Sequence, residues 1–191
     1  MMKPKKLTRK EQKIVDMYQY YLQNGFAHTI DDISAALHVG RKTFYNRYTT
    51  RENSILLALQ YSHKCFVGHF TEQRQYCNHS VEELVMLIWE FQKYAQTDTV
   101  FFQFDLDNKL LASDETPFKS ILESIVQKGL RTYHINEDVD LSSFVDYFFA
   151  TLSYYVLDGK LNSTVMRYIL YPLLNERGLE LLDELDLEMF A

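Results

Sequence analysis

Backbone breakers are too sparse in this chain for a fold built on many turns: six glycines and three prolines serve 191 residues. A sheet of short strands needs a turn every few residues, and Gly and Pro are what such turns are made from. Long helices need neither in their interiors. Apolar residues supply 47% of the chain and aromatics 15%, enough to fill a core and well above what a disordered polymer carries. The expectation is an all-α chain.

Caps and breakers divide it further. Thr8 to Asn24 reads as a first helix, with Ile14, Met17, Tyr18, Tyr21 and Leu22 at helical spacing and Gly25 as its stop. Thr29-Ile30-Asp31-Asp32 places an acid three residues after a hydroxyl, a capping-box variant that opens a second, short helix faced by Ile33, Ala36 and Leu37. His38-Val39-Gly40 is a tight connection to a third helix, Arg41 to Tyr48, and Thr49-Thr50 caps a fourth that runs through Ile55, Leu56, Leu59, Phe66 and Phe70. Beyond it, Val81 to Gln96 follows a cap at Ser80, with Glu83 at the box position. Val100 to Ala112 is shorter and aromatic, and a further helix carries Pro117 in its first turn and ends near Gly129 or Tyr133. An apolar stripe from Leu141 to Val156 stops at Gly159; a last long helix begins near Asn162, with Pro172 set to kink or end it. Leu179 to Leu187 reads as a short acidic tail helix.

The net charge of −6 conceals an asymmetry. Residues 1–51 hold ten Lys/Arg against four acids, a net of +6, and the rest holds ten against 22, a net of −12. A basic head on an acidic body suggests an end that meets a polyanion and a body that avoids one, although a merely solubilising lysine tail gives the same count. No stretch reaches the roughly 18–20 uninterrupted apolar residues of a membrane span, and the basic start Met1 to Lys10 is not followed by the apolar run of a signal peptide. Cys65 and Cys77 fit no metal-ligand spacing; twelve positions along one straight helix would set them about 18 Å apart, too far for a disulfide. A reduced, cytoplasmic compartment is the expectation. His63, Cys65 and His69 crowd together, but positions 63 and 65 of a helix point about 160° apart, so no metal site is expected. There is no phosphate-cradling glycine loop, no nucleophile elbow and no cofactor motif, which argues against an enzyme.

The run from Ile14 to Ile55 carries the most chemistry. Two short helices joined by a three- or four-residue turn and preceded by a packing helix make the helix-turn-helix arrangement, whose second helix can enter the major groove. That helix holds Arg41, Lys42, Thr43, Tyr45, Asn46 and Arg47, all donors suited to phosphate or base edges, while Phe44 and Tyr48 keep the spacing of an inward face. A solvated surface, or a packed tyrosine at 45, is the plain alternative. Lys3, Lys5 and Lys6 are either an arm for the minor groove or a solubilising tail.

The same segment resembles the DNA-binding domain of the TetR family of bacterial regulators. It has Asn24-Gly25-Phe26, then Thr29-x-x-Asp32-Ile33-x-x-Ala36, then Val39-x-x-x-Thr43-Phe44-Tyr45-x-x-Tyr48, then Thr50-Arg51-Glu52, together about a quarter of the chain. The resemblance implies about nine helices: a DNA-binding head, residues 1–52, and a ligand-binding and dimerisation body, residues 53–191. It implies a homodimer on a palindromic operator of double-stranded DNA, its last two long helices pairing with their mates, and a body cavity for a small-molecule inducer. Carried over by position, Thr43 and Tyr45 contact backbone or bases, Arg41 and Lys42 probe bases or phosphate, Thr29 offers a phosphate contact beside its capping role, and Arg51 holds a phosphate at the start of the fourth helix. Three departures stand out: glycine is usual where His38 is, which asks His38 for a left-handed backbone or a changed turn; a hydroxyl cap is usual where Gly40 is; and a small residue is common where Lys42 adds charge to the third helix.

In the body, Phe144, Phe148, Leu152, Tyr155, Val165, Ile169 and Leu173 are either ordinary core or the dimer surface, and position and resemblance favour the dimer. Phe66, Trp89, Tyr94, Phe101 and Phe104, together with Phe70 and Phe102, either line an inducer cavity or pack closely. The function these readings favour is a repressor released by its inducer. A DNA-binding activator or nucleoid protein without ligand response is hardly separable from it, and an enzyme is the remaining alternative.

Overall fold

The computed structural model describes residues 7–187, and those residues form ten α-helices and no β-strand. Cα packing divides the chain into two units, Met1–Cys65 and Phe66–Ala191.

In the first unit, α1 (Arg9–Asn24) starts from Thr8, whose Oγ1 accepts from the Glu11 amide at 3.2 Å while Glu11 accepts from the Thr8 amide at 2.8 Å, a complete capping box. It ends at Gly25 with φ 72°, a left-handed value that glycine adopts without cost. Next, α2 (Ile30–Ala36) opens on the Thr29–Asp32 box as expected. Its end is a Schellman turn in which Val39 N–H reaches back to the Ser34 carbonyl and His38 N–H to Ala35, with His38 in the left-handed region at φ 52°. The chain thus keeps the glycine-type turn and places histidine in it. The third helix, α3 (Arg41–Tyr48), begins at Gly40 without a side-chain cap, and α4 (Arg51–Arg74) begins with Thr50 Oγ1 accepting from the Asn53 amide at 3.1 Å. Met17, Tyr21, Ile33, Phe44, Tyr48, Ile55 and Ala58 form the core of this unit. Two hydroxyls tie its helices: Tyr21 Oη shares a hydrogen bond with Ser54 Oγ at 2.7 Å, and Tyr48 donates to the Lys13 carbonyl at 3.0 Å.

The second unit takes the remainder of α4, from Phe66, and is arranged around α5 (Ser80–Thr97), which packs against five other helices: α6 (Thr99–Asp107), α7 (Pro117–Arg131), α8 (Leu141–Leu157), α9 (Ser163–Leu170) and α10 (Glu176–Glu184). A helix covered this widely must be apolar on most of its faces, and Val81, Leu84, Val85, Met86, Leu87, Ile88 and Phe91 are all buried. Its cap is His79, whose Nδ1 accepts from the Glu82 amide at 3.2 Å, not Ser80. Glu83 is accordingly free of a capping role; it is buried and ion-paired with Arg74 of α4 at 2.7 Å and with Lys128 of α7. Pro172 ends the helix expected from Asn162, leaving α9 at eight residues, and the acidic tail helix expected over Leu179 to Leu187 is α10, displaced three residues towards the N-terminus. Gly178 allows α10 to press on the His134 carbonyl, where a Cβ would have no room.

Candidate nucleic-acid interface

Eight residues of α3 divide cleanly between two faces. Phe44 is fully buried and Tyr48 is 2% exposed, while Arg41, Lys42, Tyr45 and Asn46 are exposed and Thr43 and Arg47 are half-buried. The division follows from spacing: positions 44 and 48 are about one helical turn apart and are buried in the core of the unit, which turns 41, 42, 45 and 46 outward. Phe44 packs its ring on Tyr48 with centroids 5.1 Å apart. Burial pushes the Tyr48 phenol above its ordinary range, so it stays a neutral donor to Lys13. Tyr45, by contrast, is 49% exposed.

Two of the cations expected to meet phosphate have partners within their own unit. Arg41 closes a bidentate pair with Asp31 of α2 through its Nε and Nη2, which raises its already high pKa. Arg51 makes contacts within its own unit as well. Its Nε donates to the His28 carbonyl at 2.8 Å and its Nη2 to the Phe26 carbonyl, so the guanidinium is spent latching the start of α4 to the α1–α2 loop. The loop carbonyls, left over where α1 stops at Gly25, need donors, and Arg51 is the side chain within reach. No feature of the sequence separates an arginine that binds phosphate from one that satisfies a loop. Thr29 is engaged too: its Oγ1 accepts the Asp32 amide and donates to the Asp32 carboxyl at 2.6 Å, and this donation together with that of the Thr29 amide at 2.9 Å holds the carboxyl below its usual range. Lys42 and Asn46 stand exposed beside Tyr45. Lys3, Lys5 and Lys6 lie outside the described residues.

In the body, the structure redistributes the aromatic residues. Phe66, Phe91, Tyr94 and Phe118 pack ring on ring, with centroids 4.9–5.7 Å apart. Phe66, Tyr94 and Phe101 are buried, Trp89 and Phe104 half-buried, and none of the five lines either of two cavities of about 320 and 280 Å³. The larger cavity lies between α6 and α8 and is walled by Leu106, Leu111, Ala112, Phe149 and Ala150, with Asp105, Lys109, Asp146 and Ser153 as its polar edge. The smaller is bounded by α5, α6 and the end of α8, with Phe102 in its wall. Large rings close-pack when enough of them meet, and the cavities fall where smaller side chains leave room.

The dimer stripe needs the same kind of correction. Phe144, Phe148, Leu152, Ile169 and Leu173 are at most 5% exposed, all consumed in the core of their own unit. Tyr155 and Val165 are half-buried. The outward apolar residues of α8 and α9, which pack on each other, are Tyr154, Leu157 and Tyr168, with Tyr171 just past the end of α9. Periodicity finds an apolar stripe but does not say which neighbour covers it.

An all-helical chain with a helix-turn-helix unit followed by a larger helical unit is a recognisable class among solved structures. The chain has the fold of the TetR-family transcriptional regulators. It matches a TetR-family transcriptional regulator from Cytophaga hutchinsonii with a TM-score of 0.58 at 15% identity, over 94% of this chain and 97% of that one. The regulator PfmR from Thermus thermophilus matches with a TM-score of 0.58 at 15% identity, over 82% and 94%. The ketosteroid transcriptional regulator KstR2 of Mycobacterium tuberculosis matches with a TM-score of 0.54 at 14% identity, over 90% and 98%. No protein-family model and no curated protein matches the sequence significantly.

Proposed function

We propose that this chain is a TetR-family transcriptional regulator, not an enzyme, that binds a palindromic operator as a homodimer through α3. The observation that carries the reading is the partition of α3, with Phe44 and Tyr48 anchored inward and Lys42, Tyr45 and Asn46 presented outward. A helix so held can lie along the major groove, Asn46 suited to a base edge and Lys42 and Tyr45 to phosphate. The match to regulators of the same fold over most of the chain supports the same reading.

One head offers few contacts, so two copies on half-sites roughly one helical turn apart, or a multiple of it, are needed for an operator-sized footprint. The face for the second copy is the exposed Tyr154, Leu157, Tyr168 and Tyr171 set of α8 and α9. The cavity between α6 and α8, about 320 Å³, is at the small end of ligand pockets and is where an inducer would sit. An inducer would act by binding the non-DNA state better, a coupling of about 1–3 kcal/mol in typical cases. One observation favours DNA binding without ligand response instead: the aromatic cluster at Phe66, Phe91, Tyr94 and Phe118 is close-packed.

The test is selection of duplexes from a random pool by the purified protein, followed by affinity against salt. A palindromic site is expected, and Lys42→Ala should reduce the slope of log affinity against log salt by about 0.9 per phosphate released. Tyr45→Phe should weaken selected and scrambled duplexes by the same factor. Recovery of no consensus, with no binding at low ionic strength, would overturn the reading. Melting scans against a metabolite library separate the two ligand readings, because a binder of the native state raises the midpoint by mass action.

A further inference from the structure

Asp31 is an acid in the wrong place for a DNA-binding unit. It stands in the first turn of α2, exposed, with its carboxylate turned onto Arg41, the first residue of α3. It is not needed to start α2, because Asp32 completes the capping box with Thr29. Nor does it matter much for folding: the two side chains are 67% and 58% exposed, and exposed pairs of this kind contribute little to stability. What the pair does change is the outward face of α3, where it covers one of the two exposed cations, leaving Lys42.

The geometry of that cover is specific. Both Arg41 Nε and Nη2 are taken by the two carboxylate oxygens, the same planar fork with which a guanidinium takes a phosphate or the O6 and N7 edge of guanine. The carboxylate therefore occupies Arg41 until a better-placed acceptor replaces it, and its own charge repels phosphates that approach from elsewhere. Discrimination between partners is a difference of affinities, and a built-in competitor raises it by penalising the wrong ones.

We infer that Asp31 is a specificity-determining residue: it holds Arg41 out of indiscriminate phosphate binding and yields it only where a correctly spaced acceptor on the preferred sequence takes its place. This rests on the DNA-binding reading of α3. The class of partner disfavoured is any double-stranded DNA that lacks the preferred sequence.

The experiment compares the full chain with Asp31→Asn, which keeps the shape and loses the charge. Affinities are measured across a salt series for the duplex recovered by selection and for a scrambled duplex of the same composition. Asp31→Asn should bind the scrambled duplex roughly 3- to 8-fold tighter at 0.1 M salt, with a slope steeper by about 0.9 for each Arg41 set free. The selected duplex should gain less, so the ratio between the two falls. In an Arg41→Ala background the same substitution should steepen the slope much less, since only the repulsion by the carboxylate is removed and there is no guanidinium to release. The melting temperature reports folding separately and should hardly move. Equal slopes and an equal ratio in wild type and Asp31→Asn would overturn the inference alone; a wild-type chain that binds no duplex would overturn the DNA-binding reading and this inference with it.

Discussion

Histidine at position 38 carries a backbone conformation that L side chains resist, and it does so without a partner that only histidine could supply: its amide makes the turn's hydrogen bond, and its side chain is exposed. Glycine there would relieve a left-handed φ that costs a residue with a Cβ about 1 kcal/mol. His38→Gly should therefore stabilise the protein by about 0.5 kcal/mol or less after the added freedom of the unfolded chain is counted, read as a slightly higher urea midpoint with an unchanged m-value. Cys77 makes a second prediction at this scale. Burial, reinforced by Glu82 and Glu83, pushes its thiol up to about 11. Alkylation of Cys77 at pH 7.5 should be slow and should rise about tenfold per pH unit towards 11, followed by mass spectrometry of the labelled peptide. An alkylation rate already flat by pH 9 would show an ordinary thiol.

Among the elements, the caps were the most legible in the sequence. Thr29, Thr50 and the Gly25 stop were all readable because capping depends on local spacing alone, and each is where the pattern puts it, whereas Thr8, read as the first residue of α1, is its cap. The inward face of α3 was legible for the same reason. What was not legible depends on contacts distant in sequence. Ser80 looked like a cap and His79 is one; Glu83 looked like its box partner and is drawn inward by Arg74 and Lys128. The latch that Arg51 forms on the α1–α2 loop was not readable either. The latch has a clear consequence: Arg51→Ala leaves the Phe26 and His28 carbonyls without these donors in a half-buried setting and should cost about 1–3 kcal/mol of stability. Urea denaturation checks it, and an unchanged midpoint would mean that the latch contributes nothing. Arg51→Lys should not restore the loss, because an ammonium cannot span both carbonyls as the fork does.

For the molecule as a whole, the basic head and acidic body were already plain from composition, whereas the assembly surface was not. A stripe of Phe144, Phe148 and Leu152 reads the same whether it faces a protomer's own α5 or a second copy, and burial decides for the former. Four large apolar side chains remain outside, at 59–66% exposure, on α8 and at α9. A second copy covering them is the proposed reason, since a set of exposed aromatic residues otherwise favours aggregation. Tyr154→Asp combined with Tyr171→Asp should convert the dimer to a folded monomer in sedimentation equilibrium, with an unchanged helical spectrum. A wild-type chain that sediments as a monomer at micromolar concentration would contradict the proposed assembly.

The claim beneath all of this is that α3 meets DNA with its outward side chains, and the salt dependence of binding by wild type and Lys42→Ala tests it most directly. The account expects tight, sequence-selective binding to a palindromic duplex, with a slope that flattens by about 0.9 for each Lys42 removed. A slope unchanged by Lys42→Ala, or a wild-type protein indifferent to every duplex at low ionic strength, would contradict it.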